Sequence, residues 1–183
     1  MSHPPVSRPS PQDPIVGVKV HLGCGRNYLD GYINCDTSSG VRADRYFDLN
    51  VTPYPLESGT AQEIWMDNVL EHLDDIPRVM EELHRILVAG GRLKIRVPYA
   101  KTDAALQDPT HKHYFTEKSM NYFAKDDPYN FYSTACFRIV ENRLYCTSYT
   151  PMQRIRNLLP LKRVLRHFLW NIYDGVYFEL EKA

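Results

Sequence analysis

The feature that most constrains this chain is a strand–helix–strand succession between residues 63 and 98. Ile76, Val79, Met80, Leu83, Ile86 and Leu87 recur at three- and four-residue spacing, so they share one face of a helix. Asp74 or Asp75 stands where an N-terminal cap belongs, Pro77 falls in the first turn, and Gly90 marks the expected end. Runs of β character flank the helix, EIWMD at 63–67 and LKIRVP at 93–98. A helix joining two such strands makes them parallel, and a parallel sheet is expected to carry helices over its faces. An α/β fold follows.

Further β-type runs precede this unit: VGVKVHL at 16–22, YINCD at 32–36 and DRYFDL at 44–49. After Pro98 the pattern predicts a loop, a helix at 117–123, a β-rich segment at 137–149, helix over 152–173 apart from Pro160, and a last strand VYFEL at 176–180. Residues 1–14 hold five prolines and read as a flexible arm. One domain is expected over 15–183, with an inserted helical element at about 151–173.

At 183 residues such a domain buries enough surface to fold without disulfide or metal. Cys24, Cys35, Cys136 and Cys146 form no C-x-x-C pair, so they read as reduced thiols and no zinc site is expected. Lys+Arg and Asp+Glu both number 22, and this balance argues against nucleic acid as a partner. No apolar run reaches the 18 or so residues of a membrane span, and the N-terminus lacks a signal-peptide core. The expected compartment is the cytoplasm.

His21-Leu22-Gly23-Cys24-Gly25 follows the first strand directly, and two glycines one residue apart allow a sharp turn and close approach of a ligand. A dinucleotide site would want a third glycine, but Tyr28 stands there. Only residues 24–31 separate the first two strands, too few for a crossover helix that would face a pyrophosphate. The expected ligand is a nucleoside without phosphates. Asp36 ends the second strand, where a carboxylate can accept from both hydroxyls of a ribose. Asp48, beside Leu49, ends the third and can accept from an exocyclic amine. Asp67-Asn68 ends the fourth. All four turns would lie at the carboxyl edge of one sheet, where open α/β folds bind ligands. Taken singly, each Asp reads as an ordinary turn or cap residue.

HLGCGRNYLDGYINCD (21–36), FDLN (47–50), MDNVLEHLDD (66–75) and VMEELHRILVAGGRLKIRVPY (79–99), in this order and spacing, resemble the class I S-adenosylmethionine (SAM)-dependent methyltransferases, more narrowly their short type 11-like group. The resemblance implies a Rossmann-like, mostly parallel seven-stranded sheet of order 3-2-1-4-5-7-6 with an antiparallel last strand. It implies SAM as cofactor and S-adenosylhomocysteine as product. Gly23 and Gly25, with Cys24 between them, would line the methionine half. Asp36, with Thr37 beside it, would hold the ribose, and Asp48 with Leu49 would meet the adenine. Asp67, Asn68 and Val69 would contact the methionine end. The sequence departs from the family in two places. Asn68-Val69 replaces the usual aromatic or histidine, and the helix after the glycine turn is missing. Glu71 and His72 read as helix start and support.

Methyl transfer from a sulfonium needs alignment and, for a hydroxyl acceptor, removal of a proton. The candidate bases are His111 and His113 in DPTHKHYF (108–115); if extended, this segment projects both to one side. A metal held by these two and Asp108 would lack a further ligand, so none is expected. Tyr99 and Tyr114 are candidates for an acceptor pocket.

Residues 151–173 carry Arg154, Arg156, Lys162, Arg163 and Arg166 and no acid. Leu161, Val164, Leu165, Phe168, Leu169 and Ile172 make an apolar face. Three readings compete: a helix packed on the domain or on a second subunit in a homodimer, a lid over an anionic acceptor, and a peripheral contact with an anionic membrane. The expected activity is methyl transfer to oxygen or nitrogen of a small-molecule acceptor, with a sugar or a glycan- or lipid-linked intermediate in view. The alternatives are a SAM-binding partner subunit without turnover and a nicotinamide oxidoreductase. The absent third glycine speaks against the latter.

Overall fold

The computed structural model describes residues 17–125, 127–128 and 130–183; the arm expected at 1–14 lies outside them. The strands are β1 (Val18–Leu22), β2 (Ile33–Asp36), β3 (Arg45–Tyr46), β4 (Ala61–Asp67), β5 (Leu87–Pro98), β6 (Phe137–Tyr145) and β7 (Gly175–Lys182). The helices are α1 (Ile76–Ile86), α2 (Asp103–Leu106), α3 (Pro151–Asn157) and α4 (Lys162–Leu165). The seven strands form one sheet in the expected order, β3-β2-β1-β4-β5-β7-β6. β1 to β5 pair in parallel, and β7 runs antiparallel to both neighbours. In register, Leu22 lies opposite Cys35 and Met66, and Asp67 opposite Arg96, which aligns the strand ends at one edge.

α1 forms as its spacing predicts. Asp75 accepts from the Arg78 N–H, Pro77 sits in the first turn, and Val79, Met80, Leu83 and Ile86 are buried. It ends earlier than expected. Leu87 is already extended and opens β5, and Gly90, at φ 73°, lies within that strand instead of closing the helix. Four other boundaries move. β3 spans two residues, leaving Asp48 in the turn beyond it. The predicted helix at 117–123 is a 3₁₀ turn, Ser119–Phe123. The β-rich segment stops at Tyr145. The stretch 152–173 breaks into α3 and α4 around Pro160, and neither buries a residue.

The sheet is covered differently from the expectation of helices on both faces. Ile64, Met66, Leu93, Ile95, Val97, Val176, Phe178 and Leu180 face one core with α1. The alternate positions form a charged ladder on the other face. Lys94 pairs with Glu63 at 2.7 Å, Arg96 with Asp67 at 3.4 Å, and Arg92 with Glu181 at 2.9 Å. Arg96 lies 4.7 Å from the Tyr145 ring, and Trp65 and Tyr177 complete a cavity of about 540 Å³ there. A parallel sheet buried on both faces reads as continuous apolar runs; EIWMD and LKIRVP alternate, and so leave one face to water. Half-exposed ion pairs of this kind each contribute about 0–1 kcal/mol, so the ladder keeps the face polar more than it stabilises it.

The first crossover holds no helix, as its length requires. It is stapled from below by Asn34, which is fully buried. The Asn34 side-chain oxygen accepts from the Leu29 N–H (2.9 Å) and from the His21 ring (3.1 Å), while its amide donates to the Leu29 and Tyr32 carbonyls. Burial holds the His21 imidazole below its usual pKa, so it stays neutral where an unfolded His protonates. At this residue the folded state then binds fewer protons than the unfolded one below about pH 6.5. Stability at this site is present above that pH and lost as pH falls. In urea unfolding from pH 7.5 to 5.5, wild type is expected to lose stability relative to His21→Gln by up to about 1.4 kcal/mol per unit; the buried Glu71 carboxyl acts in the opposite direction in both proteins. A difference that does not change with pH would show that His21 is not the group responsible.

Candidate active site at the carboxyl edge of the sheet

The turn after β1 is built on its two glycines. Gly23 has φ 66°, and a Cβ there would overlap the Val69 side chain. Gly25 has φ 51° with open space where a Cβ would point. Gly23 therefore permits close packing of the turns after β1 and β4, and Gly25 leaves the edge open. Cys24 is buried, with burial first among the causes that raise its thiol pKa, which suits a packing residue rather than a nucleophile. All four cysteines are free thiols.

Asp36 binds this turn to the end of β2. One carboxylate oxygen accepts from the Gly25 N–H at 2.7 Å, the other from Ser38 N–H at 2.9 Å. Each oxygen keeps a second lone pair for a ligand. Thr37 is exposed beside it. Asp48 is exposed, and its Oδ1 accepts from the Asn50 N–H at 2.8 Å. Leu49, expected against an adenine, joins the core at 8% exposure, and its carbonyl accepts from Tyr54. Asp67 turns toward the polar face and Arg96. Asn68 follows in the left-handed region at φ 54°, which Asn tolerates better than most residues. Val69 packs against the core.

A second cluster lies immediately beyond. The 3₁₀ turn Leu70–His72 buries Glu71 to 1% exposure with neither carboxylate oxygen hydrogen-bonded. Burial pushes its carboxyl up to about 7. Its backbone carbonyl accepts from the N–H groups of Lys112 (2.8 Å) and His113 (3.2 Å), which anchors the loop after β5 over the edge. His111 comes with that loop. Its Nε2 stands 3.9 Å from both Glu71 Oε1 and Asp108 Oδ2, and its ring meets His72 edge-on at 4.7 Å. Among the described residues, the cluster of ligand-type side chains is Glu71, His72 and His111. Of the two histidines singled out in the sequence, the structure brings His111 into this group; His113 joins it through its backbone. Glu71 and His72 were visible only as part of the LEH block. A buried, unpartnered carboxylate has no signature in a single sequence. Tyr99 is buried and Tyr114 exposed.

Residues 21–95 match the family model described as a methyltransferase domain. No curated protein matches the sequence. Many solved structures share the fold, among them the following three. A SAM-dependent methyltransferase from Archaeoglobus fulgidus is 15% identical, with TM-score 0.67 over 92% of this chain and 87% of that one. One from Mesorhizobium loti is 12% identical, with TM-score 0.61 over 93% of each. The geranyl diphosphate C-methyltransferase of Streptomyces coelicolor, solved with Mg²⁺, geranyl diphosphate and S-adenosylhomocysteine, is 13% identical, with TM-score 0.54 over 93% and 73%. The sheet order β3-β2-β1-β4-β5-β7-β6 is thus the fold that these solved methyltransferases share, and residues 21–95 are similar to a methyltransferase domain.

The two glycines predict different costs. Gly25→Ala meets only the left-handed penalty, about 1 kcal/mol. Gly23→Ala adds a collision with Val69 and is expected to cost at least about 3 kcal/mol. Chemical denaturation of both variants checks this; equal losses would mean Val69 yields freely.

Proposed function

We propose that this chain transfers the methyl group of SAM to an oxygen or nitrogen of a small-molecule acceptor. The observation that carries the reading is the Gly25–Asp36 link. It sets a ribose-binding carboxylate against an open glycine turn, with Asp48 exposed further along the same edge. The matched family segment, 21–95, spans these groups. Val69 and Gly23 close the floor where the sulfonium would lie. The anchored loop carrying His111 bounds the acceptor side, and proton removal from a hydroxyl falls to the Glu71–His111 cluster.

Calorimetric titration with S-adenosylhomocysteine is expected to show micromolar binding. Asp36→Ala is expected to weaken it by at least about 10-fold, roughly 1.4 kcal/mol. No binding to the folded wild-type chain sinks the reading. Binding without methylation of any acceptor would favour a SAM-binding subunit without turnover.

The C-terminal segment bears on the acceptor class. Met152, Ile155, Leu158, Leu161, Val164 and Phe168 are exposed by 54–83%. Asp174 engages Arg156, and Glu117 engages Arg166. Arg154, Lys162 and Arg163 have no acidic partner among the described residues. Among the described residues no helix is long and apolar enough to cross a membrane. Exposed apolar side chains with uncompensated cations suit an anionic lipid surface, and hence a lipid-linked acceptor. Co-sedimentation with vesicles rich in phosphatidylglycerol, but not with phosphatidylcholine alone, is the expected result. Phe168→Glu with Leu158→Glu is expected to reduce it by about 10-fold or more. A concentration-independent dimer that ignores vesicles would show that a second copy covers this face instead.

A further inference from the structure

The Glu71 cluster has the composition and wiring of a metal site. Glu71 is 1% exposed, and both its oxygens lack a hydrogen-bond donor. A buried carboxylate left without any partner is costly, and the cost is relieved by a proton or a cation. The surrounding groups offer lone pairs rather than protons. The His111 Nδ1–H donates to the Ala105 carbonyl at 2.9 Å, which leaves the lone pair on Nε2, the atom 3.9 Å from Glu71. Thr110 donates its hydroxyl proton to Asp108 Oδ1 at 2.7 Å. It must therefore accept from His72 Nδ1 at 2.9 Å, so the His72 lone pair is also on Nε2. His111 is thus oriented toward Glu71 by a hydrogen bond on its other nitrogen, the usual arrangement of a ligating histidine, and Thr110 fixes the His72 ring beside it.

We propose that Glu71, His72 and His111 form a binding site for a divalent transition-metal ion such as Zn²⁺, with Asp108 Oδ2 available as a fourth ligand. One ligand-type atom from each of the first three lies within 4.8 Å of the others, and Asp108 Oδ2 lies 3.9 Å from His111 Nε2. Tetrahedral ligand atoms about 2.1 Å from a common ion stand about 3.4 Å apart, so the group needs to contract by roughly 1.4 Å at its widest. Two imidazoles with carboxylates favour zinc-like ions over Mg²⁺ or Ca²⁺, which prefer oxygen alone. Metal binding stands independently of methyl transfer. Only its consequence rests on that reading: an ion here would hold an acceptor hydroxyl and ease loss of its proton.

The test is calorimetric titration of Zn²⁺ into chelator-treated protein, wild type against Glu71→Gln and His111→Ala. One ion per chain is expected, weakened by about 10- to 100-fold or more in each variant. Absence of stoichiometric binding, or binding that either variant leaves intact, overturns the proposal. Thermal melts establish that the variants fold. If His111→Ala does not, the near-isosteric Glu71→Gln and the visible spectrum of Co²⁺ with and without it decide the question. S-Adenosylhomocysteine titrated into the same preparations separates the two readings. Cofactor binding without zinc binding removes the metal alone, and zinc binding without cofactor binding removes the methyl-transfer reading alone.

Discussion

The rest of the structure depends on a short loop being held in place without a helix. In a βαβ unit the crossover helix packs on the sheet and sets the angle of the turn that precedes it. Between β1 and β2 there is no such helix. The buried Asn34 amide replaces its packing with hydrogen bonds to Leu29, Tyr32 and His21. Asp44 extends the network outward, accepting from the Asn34 N–H and the Tyr28 hydroxyl. With the loop fixed, Gly25 meets Asp36 and the carboxyl edge acquires its shape. Hydrogen bonds of this kind contribute modestly one by one, but leaving Asn34 buried and unpaired would be expensive, which makes the network all-or-none.

The same economy of helices explains the open face. With α1 covering the apolar side, the strands present Glu63, Lys94, Arg96, Asp67 and Glu179 on the other. Mutual pairing lets these groups stay at the surface with no helix above them among the described residues. The result is a sheet with one core and a polar back, with the glycine turn, Asp36, Asp48 and Asp67 at its carboxyl edge.

Much of this was legible in the chain. The stripe from Ile76 to Ile86 specifies α1 because only a helix brings those positions together. The alternation in LKIRVP already says that one face is wet, and the expectation of helices on both faces came from giving the βαβ pattern more weight than that alternation. Gly23, Gly25 and Asp36 were readable because strand ends in a parallel sheet converge on one edge. Leu49 was not readable in the same way. A leucine beside an aspartate fits a ligand contact and a core position equally well; the structure adds that Leu49 packs in the core cluster and its carbonyl accepts from Tyr54. The segment 152–173 has helical spacing, but Pro160 divides it; Ile172 of its apolar side is buried, while Leu161, Val164, Phe168 and Leu169 stay exposed.

The sequence by itself determined the architecture, the strand order through its family resemblance, and the three acids that end β2, β4 and the turn after β3. These follow from local periodicity, turn chemistry and the geometry of parallel strands, all of which act over a few residues. Only the tertiary structure decided that Glu71 is buried without a partner, that His72 and His111 stand against it, and that His113 does not. Those facts depend on where the loop after β5 closes over the turn after β4, about forty residues away in sequence. No pattern within either segment records that contact; the backbone hydrogen bonds from Lys112 and His113 to Glu71 create it.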